Sequence, residues 1–591
     1  MALPRVIKSQ PEARRPKNLS DGQRTYRKNE QTIVTHVVGA VPIINRLLTR
    51  MKLQEFLVKH LPADDNRTKV DTPRIVMLLL RNVLISREPM YGVAEWARNY
   101  GPELFDLWPD DLEALNDDRV GRSTEALCNA LDSNLILDLV AYVVQEFGVS
   151  LTELHNDSTT VTFAGDYPHA QVEQTINGRT IPAITWGHNK DHRPDFKQLL
   201  YILTVSDDGG IPVYFQTASG NVTDDQTHQA TWKILAELVK SPDFVYVADC
   251  KLATTENMNE IARQGGSFIT VLPATRKEDT LFRQQLRERP ESITWREIDR
   301  AVHEDGSLRE LFHVYADEQL SKEGYRLLWF RSHSKEESDA ATRARRMQRT
   351  IRALMDLRVR LNSPRTRYRK QDKVSSAVDE ILDAHGARDF LRVHIEAREQ
   401  ETFRQQTRGR PTSKTKYTRQ VQMRFDVSWE IDTQQLERAV AGDGVFPLIT
   451  NLRDWEALDV LQAYKRQPII EKRFSQFKTD FRVAPVFLKS VTRIVGLLTV
   501  YFFALLVQSL LERELRNAMA EQNLDSIPLY PEGRACKRPT TRQLLDVFEP
   551  IARHTIRQTR SDLFESFNTE LAPIHHMLLK LLRVPTADYR D

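Results

Sequence analysis

Cysteine is scarce in this chain: Cys128, Cys250 and Cys536 are the only three in 591 residues, and no two stand in a CxxC spacing. A disulfide framework and a structural zinc site are thereby disfavoured, and a reducing, cytoplasmic setting fits. A surplus of one charge is missing as well. With 84 Lys and Arg against 81 Asp and Glu the formal net charge is +3, so a nucleic-acid footprint has to come from local clustering. The first thirty residues lack an apolar stretch; polar and basic (Arg14, Arg15, Lys17, Arg24, Arg27, Lys28), they read as a disordered arm and not as a secretory signal. One long apolar run stands out, "IVGLLTVYFFALLVQSLL" at 494–511. Thr499, Gln508 and Ser509 interrupt it and "ERELR" follows directly, so it reads as a helix buried in the protein, and no membrane partner is expected.

At about 100–200 residues per domain, the length suggests three or four domains. Residues 31–150 place apolar side chains three and four apart, as in "VPIINRLLTRMKLQEFLVKHL" and "LILDLVAYVVQEFG", and predict a helical amino-terminal domain. Over 151–274 the period changes. Strands are expected at 154–163, 198–206 and 211–219, with "DDGG" at 207–210 as a hairpin turn. A helix at 226–240, opening after Asp224 and Asp225 as caps, a strand at 244–250, a helix at 255–264 and a strand at 267–273 complete the order β-β-β-α-β-α-β. That order predicts an α/β fold, a mixed sheet flanked by helices. Residues 275–440 are charge-rich and read as an inserted domain, with a long basic helical stretch and strands at 309–315, 325–331 and 420–430. The core resumes over 441–511 with a strand at 444–451 and helices at 454–464 and 468–481, and 512–591 is expected to be helical.

Asp157 heads a run of β-branched and aromatic residues in "HNDSTTVTF", where aspartate is disfavoured, and Asp249 ends the apolar strand "VYVADC". The ends of strands are where open α/β sheets present ligands. A third acid comes from "YKRQPIIEKRFSQFKTDFR": Ile470, Phe474, Phe477 and Phe481 form the stripe that packs on the sheet, and Glu471 and Lys478 run on the neighbouring stripe. Three carboxylates without histidine or cysteine suit oxygen-preferring cations, two Mg²⁺ or Mn²⁺ ions, which in pairs can clamp the attacking and leaving oxygens of an in-line phosphoryl transfer. His188, Asp191 and His192 in "GHNKDH" read more simply as a loop between strands.

These stretches, together with "GHNKDHRPDFKQLLYILTVSDDGGIPVYFQTASGNVTDDQT" at 187–227, "FPLITN", "GAVPIINRLL" and "LNDDRVGR", resemble the DDE transposases of bacterial insertion sequences, within the insertion-sequence-four superfamily and its sixteen-thirty-four group. The resemblance implies an RNase H-like core, an insertion between the second Asp and the Glu, and a catalytic, metal-binding triad that falls on Asp157, Asp249 and Glu471. It also implies DNA contacts from Tyr464, Arg466 and Lys478. The signature's arginine position is held here by Gln467, with Arg466 one residue early. The activity implied is cleavage at the element's ends and strand transfer into target DNA, by a homodimer or larger assembly, with the amino-terminal helices reading the ends or dimerising.

Residues 343–373 hold twelve Arg or Lys against Asp356 and Asp372. Arg345, Arg349 and Arg352 from this cluster, with Arg408, Arg410, Lys414 and Lys416 in "RGRPTSKTK", are expected to track the DNA backbone electrostatically. Two rivals share these residues: a metal-dependent nuclease of the same fold that only hydrolyses DNA, and a transposase-derived DNA-binding protein that has lost its chemistry.

Overall fold

The computed structural model describes residues 31–170, 172–176, 179–303, 305–483, 486, 488–558 and 564–589, and the arm expected over 1–30 lies outside them. The chain forms two compact units, one from Met1–Phe268 with Ala463–Asp591 and the other from Ile269–Gln462.

The first unit is organised on four strands, β1 (Glu153–Phe163), β2 (Lys197–Ser206), β3 (Pro212–Ser219) and β4 (Val245–Ala248). They lie side by side in the order β3-β2-β1-β4; β3 and β2 and then β2 and β1 are antiparallel, while β1 and β4 are parallel. Every residue of β2 is buried, and in β1 only Asp157 and Thr162 are half-buried. Strands covered on both faces read as continuous apolar or β-branched runs, which is how these were legible. The "DDGG" turn joins β2 to β3, with Gly209 and Gly210 at φ +82° and +67°, a region that glycine enters without steric cost. Its carbonyls are held from outside: Arg473 donates to Gly209 O (2.6 Å) and Gly210 O (2.8 Å), and Arg513 pairs with Asp208 (2.7 Å).

The apolar run belongs to the helix Val491–Glu521, most of which is buried. It packs against the helix Asp117–Asn129 so closely that a Cβ on Gly496 would come within 1.8 Å of Thr124 O. Further along it buries Glu512 completely, and Lys472 (2.8 Å), Arg473 (3.1 Å) and Arg516 (3.4 Å) surround that carboxylate. Burial pushes the Glu512 carboxyl up, but these cations outweigh it and hold the group below its usual range.

The two ends of this unit differ from the helical expectation. Gln31–Val37 is a strand paired antiparallel with Ala552–Gln558, which pairs in turn with Phe564–Asn568. A short strand whose partner lies at the other end of the chain leaves no local periodic signal.

The second unit begins at Ile269, within the strand Ser267–Val271, and its strands follow in the order Val445–Thr450, Arg326–Ser332, Leu308–Ala316 and Arg296–Val302, each antiparallel to the one before. The strand Val445–Thr450, expected to return to the core after an insertion ending at 440, pairs on one edge with Ile269–Val271 and on the other, through six residue pairs, with Arg326–Arg331. The basic stretch forms the helices His333–Asn362 and Gln371–His385, which pack on the base of a two-stranded ribbon, Leu391–Gln405 with Tyr417–Ile431. Leu354, Leu357, Leu361, Val374, Phe425 and Val427 form that core. The ribbon's first strand escaped the sequence reading because its outer half is exposed on both faces and carries no apolar alternation. Trp329 is fully buried and stacks on Phe282 at 3.8 Å, and Trp429 packs against the ribbon core.

The close approach at Gly496 gives a test. Gly496→Ala is expected to cost about 1–3 kcal/mol through overpacking, read as a lower Tm in thermal denaturation, whereas Gly442→Ala, whose added Cβ would meet its nearest neighbour at an ordinary 3.5 Å, should cost less.

Candidate metal centre

Asp157 and Asp249 are brought together by strand register. Glu153 to Asn156 on β1 pair in parallel with Val245 to Ala248 on β4, so the next residue of each strand is one of the two aspartates. Parallel strands in register place side chains at matched positions on the same face. A third aspartate, Asp224, joins them from the turn Asp224–Gln226 that follows β3. One carboxylate oxygen from each of Asp157, Asp224 and Asp249 lies within 4.8 Å of the others.

The sequence suggests Asp224 as a helix cap. The helix His228–Val239 instead begins at Thr227 without any side-chain cap, and Asp224 turns to the centre, accepting from Ser158 Oγ (2.6 Å). A paired "DD" before a helix has the same appearance in either role, so the sequence held no signal to separate them.

The charges in the centre act on one another. Burial, reinforced by the Asp249 charge, raises the Asp157 carboxyl to about 6 against the pull of Lys190 and the Ser158 N–H (2.7 Å). Burial raises Asp249 too, with Asp224 adding to it. Burial would also raise Asp224, but Lys190 and the Ser158 hydroxyl outweigh it and the group lies below its ordinary value. Lys190 Nζ lies 3.3 Å from Asp157 Oδ1 and 3.0 Å from Asp224 Oδ2. An oxygen-only donor set with an ammonium already drawn into it fits a hard divalent cation.

The helix Pro468–Ser475, continued by the π-turn Gln476–Asp480, buries the expected stripe: Ile470, Phe474, Phe477 and Phe481 are all inside, and Phe477 stacks on Tyr201 of β2 at 4.4 Å. Glu471 lies on the exposed side of this helix, outside the group of three aspartates. Tyr464 connects the two: burial, with the charges of Asp249, Cys250 and Glu471, pushes its hydroxyl up to about 12.

The cations expected on DNA have protein partners near this helix. Arg466 grips the buried Glu153 through Nε (2.7 Å) and Nη2, holding that carboxyl below its usual range despite burial and tying the start of the helix to β1. Gln467, at the place where the signature has arginine, completes the anchor: its amide bonds His155 Nδ1 (2.9 Å) and Asn156 O (3.3 Å). Lys478 pairs with Asp191 (2.5 Å) from the "GHNKDH" loop. In the second unit Arg343 and Arg358 are bound to Asp443 and Asp426, whereas Arg345, Arg349 and Arg352 are exposed on one face of their helix, and Arg408, Arg410, Lys414 and Lys416 are exposed on the link between the ribbon strands.

The raised Asp157 carboxyl has a consequence for stability. Its folded-state pKa of about 6 lies above the ordinary 3.8, so the stability it contributes is complete below pH 3.8 and is lost as pH rises through 6. Metal-free Asp157→Asn, which stays neutral, is therefore expected to exceed the native protein by about 3 kcal/mol at pH 8, the gap closing below pH 4 in a series of thermal melts.

No family model matches the chain, and no curated protein matches it. Among solved structures it is similar to a piggyBac transposase synaptic complex with hairpin DNA, determined by cryo-EM, at 10% identity and a TM-score of 0.24. The likeness covers 49% of this chain and 59% of that one, less than two thirds of the transposase's length.

Proposed function

We propose that the protein is a DNA strand-transferring enzyme of the transposase type, which cleaves DNA at the ends of an insertion sequence and joins those ends to target DNA, and that its first unit is an RNase H-like core. The observation that carries this reading is the register-placed pair Asp157 and Asp249, completed by Asp224, at the end of the parallel strands. These carboxylates would hold Mg²⁺ or Mn²⁺, with Glu471 contributing from the adjoining helix. The bound cations would supply positive charge for in-line phosphoryl transfer at the scissile phosphodiester.

The protein's own groups then bind and align. Arg466 and Gln467 fix the start of the Glu471 helix against β1, so Glu471 rides on a rigid element. Burial of the aspartates removes water that would otherwise screen their charge. Duplex binding falls to the second unit. Over 402–424 the ribbon carries Arg404, Arg408, Arg410, Lys414, Lys416, Arg419 and Arg424 and no acid. A two-stranded ribbon is of a size that the major groove admits, and its phosphate contacts would position the duplex while leaving sequence choice to base contacts. A homodimer or larger assembly would pair two ends.

A labelled duplex carrying the DNA that flanks the gene tests the chemistry. With Mg²⁺ or Mn²⁺ the native protein should yield cleaved and joined products, none in chelator, and Asp157→Asn, Asp249→Asn, Asp224→Asn and Glu471→Gln should each lower the rate at least about 100-fold with binding retained. Activity that survives Asp157→Asn sinks the reading; activity that survives only Glu471→Gln gives the third ligand position to Asp224. Cleavage without joining identifies the hydrolytic nuclease.

The duplex-binding role has its own measurement. Replacing Arg408, Arg410, Lys414 and Lys416 together with alanine should reduce the slope of log affinity against log salt by roughly 3–4, and an unchanged slope places the duplex elsewhere.

A further inference from the structure

The "GHNKDH" loop does more than connect strands. Gly187 enters it with its backbone pressed on Gly220, where a Cβ would come within 1.8 Å of the carbonyl oxygen, and Gln198 donates to both Gly220 O (2.8 Å) and His188 O (3.3 Å). Asn189 Oδ1 accepts from the N–H groups of Asp191 (2.8 Å) and Arg193 (3.2 Å), and His192 adopts φ +57°. The loop is thus held at its root and within its turn, and the side chain it projects inward is Lys190.

The ammonium of Lys190 has four oxygen neighbours: Asp157 Oδ1 at 3.3 Å, Asp224 Oδ2 at 3.0 Å, Ser158 O at 2.7 Å and Ser158 Oγ at 2.8 Å. It is less than one-third exposed. Three carboxylates with oxygens this close repel one another unless a cation stands among them. An ammonium and a divalent ion seek the same oxygens, and two cations drawn to one set of oxygens repel as well.

We propose that Lys190 is a built-in counter-ion that competes with the divalent cation for Asp157 and Asp224, so that ion binding has to displace its ammonium. The inference rests on the metal reading of the centre given above. It makes Lys190 a positioning residue: it keeps the carboxylates gathered while no ion is bound, and it weakens the affinity of the free protein for the ion. The neighbouring Asp191 pairs with Lys478, so the loop is also tied to the element that continues the Glu471 helix.

The test uses the full chain and Mn²⁺ alone, followed by electron paramagnetic resonance and by the rise in Tm that Mn²⁺ produces. Lys190→Met keeps the length of the side chain without its charge, Lys190→Gln repeats the neutralisation with a polar end, Lys190→Arg retains the charge, and Asp157→Asn removes a ligand. The expected result is that both neutral variants bind Mn²⁺ at least about tenfold more tightly than the native protein, with lower Tm in its absence, while Lys190→Arg stays near native. Equal or weaker binding by the neutral variants, with native binding that Asp157→Asn abolishes, overturns the competition and leaves Lys190 a structural prop with the metal reading intact. Absence of Mn²⁺ binding in every form, folded by circular dichroism, overturns the competition and the metal reading together.

Discussion

Four backbone pairs in parallel, Glu153–Val245 to Asn156–Ala248, decide where two carboxylates from separate stretches of chain meet. Everything at the centre follows from that register. A slip by one residue would send Asp157 to the opposite face of the sheet and break its match with Asp249. The slip is opposed on the other edge of β1, where ten residues pair with β2 in an unbroken antiparallel ladder. It is opposed on both faces too, because Leu154, Val161 and Phe163 are buried and have no solvent-facing alternative.

Buried polar groups complete what the ladder begins. Glu153, His155 and Asn156, all inside, bind Arg466 and Gln467, so the carboxylate strand and the Glu471 helix are joined by charge-assisted hydrogen bonds and not by apolar contact alone. Arg473, buried beside them, ties the helix to Glu512 and to the β2–β3 turn. A buried charge left without its partner is expensive, so each of these pairs discriminates strongly against other arrangements of the same elements.

A net charge of +3 conceals local clusters of opposite sign. Acids gather in the first unit around Lys190, and the basic helix and ribbon lie in the second. The outer ribbon keeps an apolar side as well: Phe403, Tyr417, Val421 and Met423 are exposed and fall on the face whose base, with Val393, Ile395, Phe425 and Val427, packs on the helices.

The sequence by itself determined the elements of the carboxylate core, because β1, β2 and the Phe474–Phe477 helix bury apolar or β-branched residues at the period their geometry requires. It also marked Asp157 and Asp249, since an acid within or at the end of such a strand conflicts with local propensity. Tertiary structure alone decided the rest. Asp224 and Lys190 reach the centre from a turn and a loop whose residues look like ordinary caps and connectors, Arg466 proved to be an anchor only once Glu153 was buried opposite it, and the terminal strands required partners from the far end of the chain. The physical reason is the same in each case: periodicity reports which face of an element is buried, and it carries no information about which distant group will lie against that face.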